Sequence, residues 1–235
     1  MSPSRLVDLS HVVEHGMITY KGLPAPIVCD FLSREASRAI YAAGTEFHIG
    51  KIEMVANTGT YLDSPFHRFA DGKDLSELPL ESLADLDAVV VRCLRGGGDG
   101  AGSDSELVRR DRRRIVADSF RGLDVRGKAV LVHTDWCSRW RTDAYFEGHP
   151  FLTAEAAALL VEGGAALVGI DSYNIDDTED GSRPVHTTLL GAEIPIVEHM
   201  RGLERVPDSG FRFSAVPVKV KRFGTFPVRA FAAVP

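Results

Sequence analysis

The sequence predicts an α+β fold in which short strands and a few helices pack in layers. Three compact apolar runs, at residues 88–93, 129–133 and 166–170, have the length and composition of buried central strands. One amphipathic stretch in the second half of the chain is typical of a helix. Strands with so few helices between them favour a layered β/β/α architecture over a regular doubly wound sheet.

Shorter strands are predicted near both ends of the chain. Alternate apolar residues at Phe47, Ile49, Ile52 and Met54 indicate a strand with one buried face. The remaining apolar runs that predict strands are residues 6–9, 27–31, 216–220 and 228–234.

The clearest helix signal follows residue 152. Thr153 is a suitable N-cap, and Glu155 places a negative charge in the first turn, where the helix dipole favours it. The alanine- and leucine-rich segment continues to Val161, and Gly163 and Gly164 end it. The strand at residues 166–170 then follows at once.

Composition limits the class of protein. The 235 residues are 44% apolar and 26% charged, with a net charge of −6, so a soluble globular chain is expected. Length permits one or two domains. The glycine-rich segment 95–104 predicts a flexible surface loop within a single domain, 1–235. The acidic balance argues against nucleic-acid binding.

Cysteine usage and hydropathy narrow the class of protein further. The three cysteines form no CxxC pair, which argues against a disulfide framework and a cysteine-rich zinc site. No apolar run approaches the roughly 18 residues that a membrane span requires, and the N-terminus has no apolar signal core. A cytoplasmic protein without membrane contact is expected.

The segment Asn57-Thr-Gly-Thr-Tyr-Leu-Asp-Ser-Pro-Phe-His67 carries the most chemistry. Gly59 permits a tight turn, and Pro65 restricts the chain between Asp63 and His67. A carboxylate and an imidazole held together can bind a metal or move a proton. Taken alone, the pair is also compatible with a structural role.

A second polar region lies late in the chain. Residues 169–176, Gly-Ile-Asp-Ser-Tyr-Asn-Ile-Asp, follow the predicted strand 166–170, and ligands often bind beyond such strand ends. His186 and Glu198 come next, separated by a mainly apolar stretch. Each of these two residues, taken alone, has an ordinary structural interpretation.

These motifs together resemble the cyclase family, which includes bacterial kynurenine formamidases and isatin hydrolases. The signature of that family is His-x-Gly-Thr-His-x-Asp-x-Pro-x-His. The chain matches it at five of seven positions, and Asn57 and Tyr61 stand in place of two histidines. Further similar segments begin at Asp8 and end at Ala232, so the resemblance covers nearly the whole chain.

The resemblance implies a swivelling β/β/α fold, assembly as a homodimer or homotetramer, and a site for one or two divalent metals, often zinc or manganese. In two-metal members, the signature histidines and aspartate hold the first metal. The same aspartate with a late histidine and a late glutamate holds the second. The final signature histidine is the general acid/base.

Carried over to this chain, the resemblance assigns the second metal to Asp63, His186 and Glu198, and proton transfer to His67. Asn57 offers only a neutral amide oxygen, and Tyr61 binds a metal well only as phenolate, so one metal or none is expected. The remaining assignments concern catalysis or a small-molecule substrate: Tyr61 as a donor to the substrate oxyanion, Tyr20 and Phe66 as stacking surfaces, and Asn57 as a substrate contact.

The expected function is metal-dependent hydrolysis of a small amide, lactam or ester, with a metal-activated water and His67 as general acid/base. Two alternatives remain open. One is a cyclase or dehydratase in which Tyr61 and His67 form an acid/base pair. The other is a catalytically silent protein that binds a ligand in the same pocket.

Overall fold

The structure is a computed structural model that describes residues 5–94 and 112–235. The glycine-rich segment 95–104, predicted to be a flexible loop, lies outside the described residues. The helices are α1 (Arg34–Ser37), α2 (Ala154–Gly163) and α3 (Pro184–Gly191). The strands are β1 (Arg5–Asp8), β2 (Ile27–Leu32), β3 (Ile49–Glu53), β4 (Tyr61–Asp63), β5 (Leu86–Arg92), β6 (Arg114–Ile115), β7 (Ala129–His133), β8 (Phe151–Leu152), β9 (Leu167–Ile170), β10 (Ile196–Glu198), β11 (Ser209–Ser214), β12 (Thr225–Pro227) and β13 (Phe231–Val234).

Nine of these strands form one mixed sheet in the order β1-β13-β11-β5-β7-β9-β10-β4-β12. Its centre, β5-β7-β9-β10, is parallel throughout. Antiparallel strands extend it on both sides, β11, β13 and β1 on one and β4 and β12 on the other. Smaller two-stranded sheets pair β2 with β3 and β6 with β8. The predicted α+β class is therefore confirmed.

Alternation along the central strands sends side chains into two separate cores. On β7, Leu131 packs in the core on one side of the sheet and Val130 in the core on the other. The second core also contains Leu160 of α2 and Leu189 of α3. Because both faces of the parallel strands are covered, these strands are apolar at nearly every position, as the sequence showed.

Helix α2 begins and ends as its sequence predicts. The Thr153 side chain accepts a hydrogen bond from the backbone N–H of Ala156, and Gly164 ends the helix with a left-handed φ of 75°. The chain then enters β9 without a long loop. This compact connection places the carboxyl end of β9, and the polar residues after it, beside β10.

One strand prediction and one prediction of burial are wrong. Residues 216–220 are not a strand, because Pro217 has no N–H to donate to a ladder. The strand in this region is β11, none of whose six residues is β-branched. β3 is a strand, but all five of its residues are exposed, so the predicted buried face is absent. Within the described residues, no helix has the length and apolar character needed to cross a bilayer.

Candidate active site

The register of the short strand β4 assembles the site. Tyr61 and Asp63 project from one side of β4, while Leu62 between them packs in the core. On one flank, Tyr61 lies opposite Glu198 of β10, and on the other flank Asp63 lies opposite Thr225 of β12. Cross-strand neighbours on one face are in contact. Residues from three distant parts of the chain therefore meet at one place.

Two carboxylates are buried in this place. Asp63 is completely buried, and the hydroxyl of Thr225 donates a hydrogen bond to its Oδ1 atom. Its other oxygen, Oδ2, is buried and has no hydrogen-bond partner. Glu198 is 1% exposed, and its Oε1 atom accepts a hydrogen bond of 2.6 Å from the backbone N–H of Ile175. Buried carboxylates in this arrangement need a positive partner.

His186 lies between the two carboxylates. Its Nε2 atom is 3.7 Å from Asp63 Oδ2 and 3.8 Å from Glu198 Oε1. On the opposite edge of the ring, Nδ1 is 2.6 Å from Asp176 Oδ2. Asp176 also accepts hydrogen bonds from the backbone N–H groups of Val185 and His186 at the start of α3. The ring is therefore held with Nδ1 on Asp176 and Nε2 directed at Asp63 and Glu198.

The pKa values of Glu198, His186 and Asp63 reflect the excess of acidic over basic groups in this cluster. Burial raises the pKa of Glu198 to about 7, the charge on Asp63 acts in the same direction, and His186 opposes both. Burial disfavours protonated His186, but the attraction of Asp176 and Asp63 outweighs it and raises the His186 pKa to about 10. Burial also opposes ionised Asp63, yet His67 and His186 keep the pKa of Asp63 below its ordinary value.

The separations from His186 to each carboxylate are compatible with ligands of a divalent metal ion. Ligands about 2.1 Å from one ion lie roughly 3.0–3.6 Å apart, close to the separations from His186 Nε2 to Asp63 Oδ2 and Glu198 Oε1. The unpartnered Asp63 Oδ2 supplies an oxygen ligand. The contact from Asp176 to His186 Nδ1 matches the carboxylate–histidine–metal arrangement that orients ligating imidazoles.

His67 lies at the edge of the same cluster. Among the described residues, one group of three possible metal donors has an atom from each within 4.8 Å of the others, namely Asp63, His67 and His186; Glu198 is not part of this group. However, His67 Nδ1 contacts the Thr225 hydroxyl at 2.8 Å. That hydroxyl has one hydrogen, which Asp63 accepts, so Nδ1 must donate to Thr225. Neutral His67 consequently keeps its lone pair on Nε2.

The close approach of His67 to β12 depends on Gly224. A Cβ atom at this position would lie 2.6 Å from both the backbone N and Cα of His67. The backbone N–H of Ser64 also donates to Gly224 O, at 2.7 Å. Thr225 is thereby held between His67 and Asp63.

Tyr61 and Asn57 form the altered half of the site. Tyr61 is 1% exposed, and its hydroxyl donates a 2.6 Å hydrogen bond to Glu198 Oε2. Burial, with the charges of Glu198 and Asp63, raises its pKa well above the ordinary value of tyrosine. The phenol is therefore neutral, and its one proton is directed at Glu198. This geometry does not provide the phenolate that metal binding by Tyr61 would require.

A cavity of about 270 Å³ opens onto the site. Tyr20 contributes to its wall and stacks on Tyr173 with ring centroids 4.7 Å apart. Phe66, which precedes His67 in the 3₁₀ turn Pro65–His67, does not line this cavity, so the structure does not support its expected stacking role there. The lining residues are Tyr20, Leu23, Asn57, Tyr61, His67, Arg68, Asn174, Arg183, His186 and Glu198.

Three residues of the arrangement were not singled out from the sequence. Asp176 was visible only as part of a polar strand end, and Asn174, 3.5 Å from Glu198 Oε2, lies in the same segment. Thr225 gave no signal, because its role depends on pairing with a strand 162 residues earlier. The structure does bring together Asn57, Tyr61, His67, His186 and Glu198, which all line the cavity.

Comparison with known proteins decides the family. The Cyclase family model matches residues 7–177, well over half of the chain. The chain belongs to the cyclase family. The residues that depart from the family signature, Asn57 and Tyr61, lie within the matched segment.

Relatives of this cyclase-family chain cover it almost completely. The kynurenine formamidase of Bacillus anthracis is 25% identical over 231 residues, which is 98% of each chain. That of Bacillus cytotoxicus is 26% identical over 230 residues, again 98% of each.

Solved structures show the same fold. An isatin hydrolase bound to the product analogue thioisatinate has a TM-score of 0.77 at 20% identity and covers 99% of this chain and 93% of its own. Isatin hydrolase A from Labrenzia aggregata bound to benzyl benzoate also has a TM-score of 0.77, at 22% identity, with 98% and 94% covered. At these identities the likeness supports the fold.

Proposed function

We propose that this cyclase-family chain is a metal-dependent hydrolase that cleaves a carbon–nitrogen bond in a small amide or lactam, or the related bond of an ester. The observation that carries the proposal is the position of His186 Nε2 beside the cavity, 3.7 Å from Asp63 Oδ2 and 3.8 Å from Glu198 Oε1. The kynurenine formamidase relatives are compatible with this class of reaction.

One divalent ion, zinc or manganese, would be held by Asp63, His186 and Glu198. When bound, it supplies Lewis acidity for activating water and polarising a carbonyl group. The protein contributes a fixed ligand set, because Asp176 orients His186 and the Ile175 N–H orients Glu198. Burial of both carboxylates excludes the water that would otherwise weaken their interaction with a cation.

His67 is the proposed general acid/base. With Nδ1 hydrogen-bonded to Thr225, its Nε2 atom is free to accept a proton from the attacking water. Protonated His67 then gives the proton to the leaving nitrogen or oxygen. The contact with Thr225 fixes the tautomer and orientation of the ring in both steps. A side chain that is 35% exposed also permits exchange with solvent after turnover.

Tyr61 supports Glu198 in this scheme. Its hydroxyl donates a hydrogen bond to Glu198 Oε2, so donation to a substrate oxyanion would require that hydrogen bond to break. The same geometry disfavours cyclisation or dehydration by a Tyr61–His67 acid/base pair, because burial and acidic neighbours raise the Tyr61 pKa. Tyr20, stacked on Tyr173, offers a flat surface for an aromatic substrate.

Hydrolysis of N-formylkynurenine and isatin by purified protein tests the proposal. We expect turnover of at least one of them, loss of turnover after chelation, and recovery with zinc or manganese. His67→Ala should reduce kcat by about 100- to 10,000-fold, whereas His48→Ala, at an exposed position just before β3, should not. Activity that survives both His67→Ala and exhaustive chelation would overturn the scheme.

Homo-oligomer formation belongs to the same proposal. The β2–β3 sheet exposes apolar side chains on both faces, and an isolated two-stranded sheet is marginally stable in water. A second copy of the chain would cover them. The exposed apolar residues here are Ile27, Val28, Phe31, Ile49 and Ile52.

Light scattering after size-exclusion chromatography measures the assembly. We expect a dimer or tetramer, and dissociation when Phe31, which is 75% exposed, is changed to glutamate. Leu80→Glu, at another exposed apolar position, is the matched control. A wild-type monomer would contradict this part of the proposal.

A further inference from the structure

Two arginines line the cavity but have no role in the proposed hydrolysis. Arg68 directly follows His67, and Arg183 directly precedes α3. Neither metal binding by Asp63, His186 and Glu198 nor proton transfer by His67 requires them. Their guanidinium groups are therefore candidates for contacts with the substrate.

Each guanidinium is held by the protein through only part of its donor set. Arg68 Nε donates to Thr187 Oγ1 at 3.2 Å, and its Cζ lies 5.3 Å from the centroid of the Phe69 ring. Arg183 Nη1 donates to the backbone carbonyl of Asp177 at 2.9 Å. A guanidinium has five N–H donors in a planar fork, so each retains donors for a ligand.

The start of α3 carries one arginine and contacts the other. Arg183 is the N-cap residue of α3, with a left-handed φ of 48°, and its backbone carbonyl accepts a hydrogen bond from the N–H of Thr187 at 3.0 Å. Arg68 donates to the side chain of the same Thr187. Both arginines therefore lie at the wall of one cavity, each in contact with the start of α3 or part of it.

Within residues 5–94 and 112–235, the guanidinium groups of Arg68 and Arg183 have no acidic partner. Neither Arg68 nor Arg183 forms an ion pair there, although the chain carries 33 acidic residues. Neighbouring like charges repel unless an anion lies between them. A divalent ion would balance Asp63 and Glu198, so the arginines would leave the loaded cavity positive.

We propose that Arg68 and Arg183 bind an anionic substituent of the substrate, a carboxylate carried on a small ring, and so restrict the enzyme to acidic substrates. This inference rests on the proposed function for its substrate class. The planar fork of arginine matches the two oxygens of a carboxylate. Tyr20, which lines the same cavity and stacks on Tyr173, receives the ring.

Calorimetric binding of two matched probes tests this inference. Anthranilate carries a carboxylate, and 2-aminobenzamide replaces it with a neutral amide of similar size. Binding is measured in metal-depleted protein as well as metal-loaded protein, so that a direct carboxylate–metal contact is separated from the arginines. The variants are Arg68→Met, Arg183→Met and Arg183→Lys, with Arg121→Met, an exposed arginine paired with Asp118, as control.

In metal-loaded protein, where the ion balances Asp63 and Glu198, we expect anthranilate to bind at least about tenfold more tightly than 2-aminobenzamide, and a smaller preference of the same sign should remain in metal-depleted protein. Arg183→Met should reduce that preference about tenfold, Arg68→Met should reduce it in the same direction, and Arg183→Lys should retain most of it. Arg121→Met should bind both probes as the wild type does.

Equal affinity for the two probes, no binding of either probe, or equal weakening of both by Arg183→Met would overturn the inference. The outcome is separate from that of the proposed hydrolysis. A protein that prefers anthranilate but cleaves neither N-formylkynurenine nor isatin would refute the hydrolase assignment and leave the anion site standing.

Discussion

The two halves of the site differ in what their side chains can do for a cation. In one half, His186 Nε2 lies 3.7 Å from Asp63 Oδ2 and 3.8 Å from Glu198 Oε1. In the other half, Asn57 and Tyr61 occupy positions where the family signature has histidines. Tyr61 is a buried neutral phenol whose hydroxyl donates a hydrogen bond to Glu198.

The difference teaches that the altered half has a positioning role. The 2.6 Å hydrogen bond from Tyr61 fixes one oxygen of Glu198, and the Ile175 N–H fixes the other at 2.6 Å. A carboxylate held at both oxygens loses little rotational freedom when it binds a metal. Under the proposed function, Tyr61 therefore supports the metal site of the other half.

Asp63→Asn is expected to have the largest effect, because it removes a charged ligand and preserves the size of the side chain. We expect loss of bound metal and a fall in kcat/KM of at least about 1,000-fold, as several kcal/mol of transition-state stabilisation disappear. Metal analysis and steady-state kinetics measure both. A variant that keeps its metal would show that Asp63 is not a ligand.

Restoring both histidines tests the altered half by gain of function. In Asn57→His/Tyr61→His, two imidazoles join Asp63, so we expect the metal content to rise from about one to about two per chain. Tyr61→Phe is the control, because it removes the phenol without adding a ligand, and it should remain near one. A double variant that still holds a single metal would show that more than these two residues separates the halves.

Asp176→Asn tests the support behind His186. A neutral amide cannot hold the imidazole as an ionised carboxylate does, so metal affinity should fall about 10- to 100-fold. Competition with a chelator of known affinity measures the change. The control is Asp177→Asn at the next residue, whose carboxylate accepts a hydrogen bond from the backbone N–H of Glu179. It should have little effect on metal affinity. Equal losses in the two variants would point to general damage in this segment.

Thr225→Val has the smallest expected effect on catalysis. Valine keeps the branched shape but removes the hydroxyl between His67 and Asp63, so kcat should fall about tenfold, with metal content unchanged. Thr225→Ser retains the hydroxyl and should keep most of the activity. If valine and serine reduce kcat equally, the hydroxyl does not orient His67.

Local sequence signals predicted the parts of the molecule that local interactions determine. The Thr153 cap, the left-handed Gly164 and the apolar central strands follow from short-range patterns, and each lies where the sequence placed it. The segment 57–67 likewise pointed to Asp63 and His67. Resemblance to the family was needed to associate them with His186 and Glu198.

Features that depend on tertiary contacts could not be predicted from local sequence signals. Thr225 reaches Asp63 through the register of β12 with β4, and Asp176 reaches His186 through the start of α3. Alternation of apolar residues indicated that β3 has two faces, but it did not show what covers either one. Pro217 was the one overlooked local signal, since it argues against a strand at residues 216–220.

The metal content of the purified wild-type protein tests the central claim most directly. Elemental analysis, with protein concentration from amino-acid analysis, gives the molar ratio after incubation with zinc or manganese and removal of free ion. The retained half-site predicts a ratio near one per chain, which Asp63→Asn abolishes. A ratio near two would show that Asn57 and Tyr61 still support a second ion, and a ratio near zero would contradict the metal site itself.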